Sequence, residues 1–173
     1  MPGTIPSLWQ QVLDGFAGVD CILHAGDLHV ANVIEALDEI APTFVSVGNG
    51  DLDVVHPRLK DTWCAAMAGV NVGLIHRFPT PSRASEEKLA KNLNRHFESV
   101  PDVVIYGHTH LAEVHTVAGR TYINPGSATL PNNQSTRLGT IGFLEISRRG
   151  VAVELLQLTD EGLSLIERHD APS

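Results

Sequence analysis

From Pro6 to Phe16 the apolar side chains fall at Leu8, Trp9, Val12, Leu13 and Phe16. That interval of three to four residues lays one stripe along a helix, with Ser7 placed to cap it. Val19 to Leu23 is a short apolar run that reads as a buried strand. His29 to Ile40 returns to helical spacing through Val30, Val33, Ile34 and Leu37, and Thr43 to Val47 is a second buried strand, closed by the turn Gly48-Asn49-Gly50-Asp51. Trp63 to Met67 and Val70 to Ile75 predict a hairpin across Gly69. Ser85 to Phe97 predicts a helix with Leu89, Leu93 and Phe97 inward, followed by a buried strand from Val103 to Tyr106. Beyond it the pattern is all strand: Ala112 to Val117, Arg120 to Asn124, Leu138 to Ile146 and Val151 to Leu158, with turns at Ala118-Gly119 and Arg149-Gly150.

The first half thus alternates helix and strand, and the second half is mainly antiparallel. An α/β architecture of layered sheets with helices outside accommodates that order. No repeat, linker or low-complexity tract interrupts it, so residues 1–173 read as one domain.

Composition narrows the function classes. The 173 residues suffice for one real core, and 43% apolar content is that of a globular chain. No apolar run approaches the roughly 20 residues that cross a bilayer. No cationic region followed by an apolar stretch marks a signal peptide, so a cytoplasmic protein is expected. A net charge of −8 without a Lys/Arg cluster argues against nucleic-acid tracts as ligands, because counterion release needs a basic surface. Cys21 and Cys64 are expected as two buried thiols. The nine histidines are the unusual feature, since imidazole is both a metal ligand and a proton carrier.

Polar residues with ligand chemistry stand at the carboxyl ends of the predicted strands. Asp27 follows Cys21 to His24, Asn49 follows Phe44 to Val47, His76 ends Val72 to Ile75, and His108 and His110 follow Val103 to Tyr106. In α/β sheets this edge is where ligands bind. Taken singly, Asp27 reads best as a cap for the helix near His29, Asn49 as a turn residue and His76 as a satisfied strand-end histidine. His108 and His110 alone give even odds of metal. Four strand ends delivering ligands together favour a divalent metal site of mixed oxygen and nitrogen donors. His24, His56, His96, His115 and His169 read as structural or surface residues. His29 could reach the edge of the site but is left out of the ligand set.

The segments Ala25-Gly26-Asp27, Gly48-Asn49-Gly50-Asp51, Leu74-Ile75-His76, Gly107-His108-Thr109-His110 and Asn124-Pro125-Gly126-Ser127 resemble, in order and spacing, the motifs of the calcineurin-like metallophosphoesterases. The resemblance runs from about Leu8 to about Leu156 and is nearest to the small phosphodiesterases of the YfcE type. It implies a four-layer α/β/β/α sandwich, two mixed β-sheets flanked by helices. It also implies hydrolysis of a small phosphate ester by metal-activated hydroxide. Asp27 would bridge two metals, with Asn49, His76 and His108 completing one site and His110 serving the other. Asn49 and His108 would stabilise the transition state, and Asn124 to Ser127 would form a supporting turn. Manganese is the first expectation for the metal, with zinc, iron or nickel as alternatives, and a homodimer is compatible with the reading.

The sequence also departs from that pattern. The family opens with a strand ending in Asp-x-His, and no Asp-x-His precedes Asp27. Either that strand lies upstream of the sequence given or another segment fills its slot. Without it, weak activity is expected. Gly50 stands where distant relatives carry a histidine, and Arg77 where relatives often have glycine. A second function class therefore stays open: a non-catalytic scaffold of this fold that binds protein partners, as the retromer subunit of the superfamily suggests.

Overall fold

A computed structural model describes residues 8–148 and 150–172. The expected Ser7 cap, the start of the first helix at Pro6 and Arg149 of the expected turn lie outside the described residues. Among the described residues three α-helices and eleven strands form: α1 (Gln10–Gly15), β1 (Ile22–His24), α2 (Asn32–Asp38), β2 (Thr43–Ser46), β3 (Leu59–Lys60), β4 (Thr62–Met67), β5 (Val70–Ile75), α3 (Glu86–His96), β6 (Val103–Tyr106), β7 (Ala112–Val117), β8 (Arg120–Pro125), β9 (Thr140–Ser147), β10 (Gly150–Thr159) and β11 (Gly162–Pro172). β3 and β11 were not expected from the sequence. β3 is only two residues long, and β11 is a largely polar strand with Leu165 and Ile166 exposed.

Mixed pairing builds the central sheet, in the order β4-β5-β6-β8-β7. Two of its hairpins turn on Ala68-Gly69 and Ala118-Gly119, where both residues have positive φ. That geometry matches the twist of the flanking strands and is why Gly69 and Gly119 mark the turns. One face of this sheet is covered by α3, whose Leu89, Leu93 and Phe97 pack on Val104, Tyr106 and Tyr122. Ser85 caps that helix by accepting from the Lys88 amide at 3.3 Å. The opposite face meets Val151, Val153 and Leu155 of β10 and, nearer β4 and β5, Leu23 and Phe44. Outside these strands lie α2, through Val33, Ile34 and Leu37, and α1, through Val12.

The layers are therefore helix, strand, strand and helix, as the resemblance implies. The second strand layer, however, is divided. β1-β2-β3 is a parallel three-stranded sheet and β11-β10-β9 an antiparallel one, with no ladder between them. β1 and β9 present facing edges to a cavity of about 970 Å³, whose lining includes residues 20–29, in and around β1, and residues 140–146 of β9. No described segment fills this slot. Cys21 is half-buried and Cys64 is exposed on the edge strand β4, so the expectation of two buried thiols fails at Cys64. Edge strands keep one face toward solvent, which the apolar run around Cys64 does not reveal. No helix among the described residues is long and apolar enough to cross a membrane.

Ile34 is fully buried between α2 and the parallel sheet. Ile34→Ala is expected to cost about 2–5 kcal/mol of unfolding free energy by denaturant titration. Leu165→Ala, on the exposed face of β11, should stay within about 0.5 kcal/mol.

Candidate metal centre

Asp27, His76 and His108 meet at one point above the carboxyl ends of β1, β5 and β6. One potential ligand atom from each lies within 4.8 Å of the other two. The Asp27 and His76 side chains are 12% and 6% exposed, and Oδ2 of Asp27 lies 3.5 Å from Nε2 of His76. Nδ1 of His108 lies 3.3 Å from the same Nε2. A tetrahedron of ligands about 2.1 Å from a metal has edges of about 3.4 Å, so these spacings fit one divalent ion.

Lone-pair direction supports the fit. Nδ1 of His76 is 2.6 Å from the carbonyl oxygen of Ala25, which can only accept. The Nδ1–H is therefore spent on Ala25, and the Nε2 lone pair faces Asp27 and His108, the outer-shell arrangement that orients metal-binding imidazoles. His110 does the same with Leu130: Nδ1 donates to that carbonyl at 2.9 Å, leaving Nε2 for the cavity that Asp27, His76 and His108 also line. Burial, followed by the neighbouring His76 and Arg77, holds His108 below the ordinary imidazole range.

The ligand-bearing loops adopt unusual backbone. Asp27, His29, His108 and His110 have φ of 64°, 66°, 69° and 59°. Left-handed backbone costs a non-glycine residue of order 1–2 kcal/mol. Asp51 offsets part of that cost. Its carboxylate, 1% exposed, accepts from the amides of Asp27 (2.7 Å), Gly48 (2.8 Å) and His29 (2.9 Å). The Gly50 amide in turn donates to Oδ1 of Asp27 at 2.8 Å. Asn49 is exposed between Gly48 and Gly50, and a Cβ on Gly48 would overlap the Asp27 carboxylate, so the Asn49 loop abuts the cluster. Asp27 does not cap α2, which begins at Asn32 after Ala31. On the other side Asn124, fully buried, donates to the Gly107 carbonyl (3.1 Å) and Thr109 Oγ1 (2.8 Å) and accepts from Gly126 (3.0 Å). It clamps the loop that carries His108 and His110.

Of the residues singled out in the sequence, Asp27, His76 and His108 come together and His110 lines the same cavity, whereas Asn49 is exposed and only its flanking glycines lie against Asp27. The sequence reading gave no role to Asp51, two of whose three partners lie 22 and 24 residues away, or to His24. The His24 ring lines the slot, and Nδ1 accepts from the Gly26 amide at 3.1 Å. Burial pushes its pKa down to about 4, against the weaker pull of Asp51 and Asp27.

A family model for the calcineurin-like phosphoesterase superfamily domain matches residues 6–149. A protein named "Probable metallophosphoesterase" from Methanothermobacter thermautotrophicus is 30% identical over 135 residues, covering 76% of this chain and 73% of that one. Among solved structures, Vps29 from Entamoeba histolytica complexed with zinc superposes with a TM-score of 0.75 at 26% identity, over 98% of this chain and 93% of that chain. YfcE, a phosphoesterase from E. coli, superposes with a TM-score of 0.62 at 20% identity, over 94% and 91%.

Two outcomes test this geometry. Asp51→Asn places an amide among three donors, and it should cost about 2–3 kcal/mol in denaturant unfolding and weaken divalent-metal binding measured by calorimetry. His24 is neutral when folded and takes up a proton below about 6.5 when unfolded, so the unfolded chain binds more protons between pH 6.5 and 4. Stability should therefore fall as pH drops through that window, and His24→Asn, which keeps an acceptor for Gly26, should flatten the slope.

Proposed function

The chain belongs to the calcineurin-like phosphoesterase superfamily, and from that premise we propose that it is a metal-dependent phosphoesterase acting on a small phosphate diester. The observation that carries this reading is the convergence of Asp27, His76 and His108 at ligand spacing, with His110 lining the same cavity. Asp27, His76, His108, Asn49 and His110 would hold the metal, manganese in the first instance. A divalent ion held there would supply positive charge for phosphoryl oxygens and would lower the pKa of water toward neutral. The chain's own part is positioning. The Ala25 carbonyl aims His76, Asp51 fixes the backbone at Asp27, the Gly50 amide holds the Asp27 carboxylate, and Asn49 and His108 would contact the crowded oxygens of the transition state.

Hydrolysis of bis(4-nitrophenyl) phosphate and of 4-nitrophenyl phosphate with added manganese tests the reading. Wild type should turn over the diester faster, and His108→Ala should lose about 100-fold or more. Failure to hydrolyse either ester with manganese, zinc, iron or nickel would sink it. The second reading, a protein-binding scaffold, draws on Leu52 and Val55, which are 82% and 93% exposed on the segment after Asn49. Retained metal binding without turnover, together with a partner lost on Leu52→Ser/Val55→Ser, would favour it.

A further inference from the structure

His29 is the one imidazole lining the cavity beside Asp27 that belongs neither to the ligand cluster nor to a hydrogen-bonded pair. Its ring has no hydrogen-bond partner among the described residues and is only partly shielded from solvent. Yet its position is tightly set. The His29 amide donates to Oδ1 of Asp51 while the Asp27 amide donates to Oδ2 of the same carboxylate. The ring lies against Gly50, where a Cβ would overlap its Cε1 and Nδ1. Gly50 also donates its amide to the Asp27 carboxylate. One glycine thus touches the proposed metal ligand with its N–H and the His29 ring with its bare α-carbon.

We propose that the His29 imidazole is a substrate-contacting residue that donates a hydrogen bond to the phosphoryl group, and that Gly50 lacks a side chain to leave room for that ring. The inference rests on the phosphoesterase reading for the identity of its ligand. Left-handed backbone at a non-glycine residue, as at His29, costs energy that persists where surrounding contacts over-determine it. Asp51 and Gly50 supply that determination. A polar ring held in such a conformation, unpaired and facing the cavity that holds the metal ligands, has its donor free for an incoming anion.

Binding of inorganic phosphate to the manganese-loaded protein, followed by calorimetry, tests this without turnover. His29→Ala should weaken phosphate binding about tenfold while leaving manganese affinity within about twofold. His29→Gln, which keeps a donor, should recover most of the loss. Gly50→Ala displaces the ring and should match His29→Ala. The double variant Gly50→Ala/His29→Ala should be no weaker than His29→Ala alone, because nothing is left to displace. Thermal unfolding of the variants separates these effects from a loss of folding, and rescue by His29→Gln is not expected of a purely packing role. A tenfold loss of manganese affinity in His29→Ala would make the residue a metal ligand and overturn the inference. Unchanged phosphate binding in His29→Ala, additive losses in the double variant, or no phosphate binding by wild type would overturn it too. Absence of ester hydrolysis alone would count against the enzymatic reading and not against this one.

Discussion

Three backbone N–H groups from two loops converge on the carboxylate of Asp51, and the geometry of the metal centre follows from that convergence. Asp27 and His29 lie in left-handed backbone, which free chains avoid. A buried carboxylate without partners is more unfavourable still. Joined, the two costs offset each other: the amides at 27, 29 and 48 need an acceptor and Asp51 needs donors. The loop after β1 is thereby fastened to the loop after β2, and the Asp27 side chain cannot drift without breaking the set.

Across the cluster Asn124 plays the matching part for the loop after β6, through the Gly107 carbonyl, the Thr109 hydroxyl and the Gly126 amide. His76 needs no such clamp, because it directly follows the buried strand β5 and is aimed by one carbonyl. Ligand groups are thus fixed in two ways. A residue ending a central strand inherits its rigidity, whereas loop residues depend on buried polar side chains elsewhere in the chain.

This difference explains what could be read in advance. Periodicity located the buried strands and α3, because apolar spacing is a local signal, and Gly69 and Gly119 marked hairpins by their conformational freedom. Position at strand ends was enough to single out Asp27, His76 and His108. The start of α2 was placed at His29 and lies at Asn32, because the intervening backbone is bent by an acceptor 22 residues downstream. Helical spacing in Val30, Val33 and Ile34 carries no trace of that distant group. β11 escaped because a half-exposed edge strand has little apolar alternation to show.

The division of the second strand layer has a consequence of its own. The parallel half is anchored to the central sheet by Phe44 against Trp63 and by the Trp63 indole N–H donating to the Val45 carbonyl at 2.9 Å. The antiparallel half is anchored separately, by β10 on β7 and by Trp9 of the α1 entry on the Ala128 carbonyl at 3.0 Å. Among the described residues no ladder crosses the slot, and side-chain packing bridges it instead: Phe16, just after α1, packs against the cluster around α2 and, edge-on at 5.7 Å, against Phe143 of β9. The two halves are thus joined through one aromatic side chain and through the central sheet they both cover. Asp27 rides on the parallel half and His76 and His108 on the central sheet, so the ion-binding cluster exists only while the contact of Phe44 with Trp63 keeps the two in register.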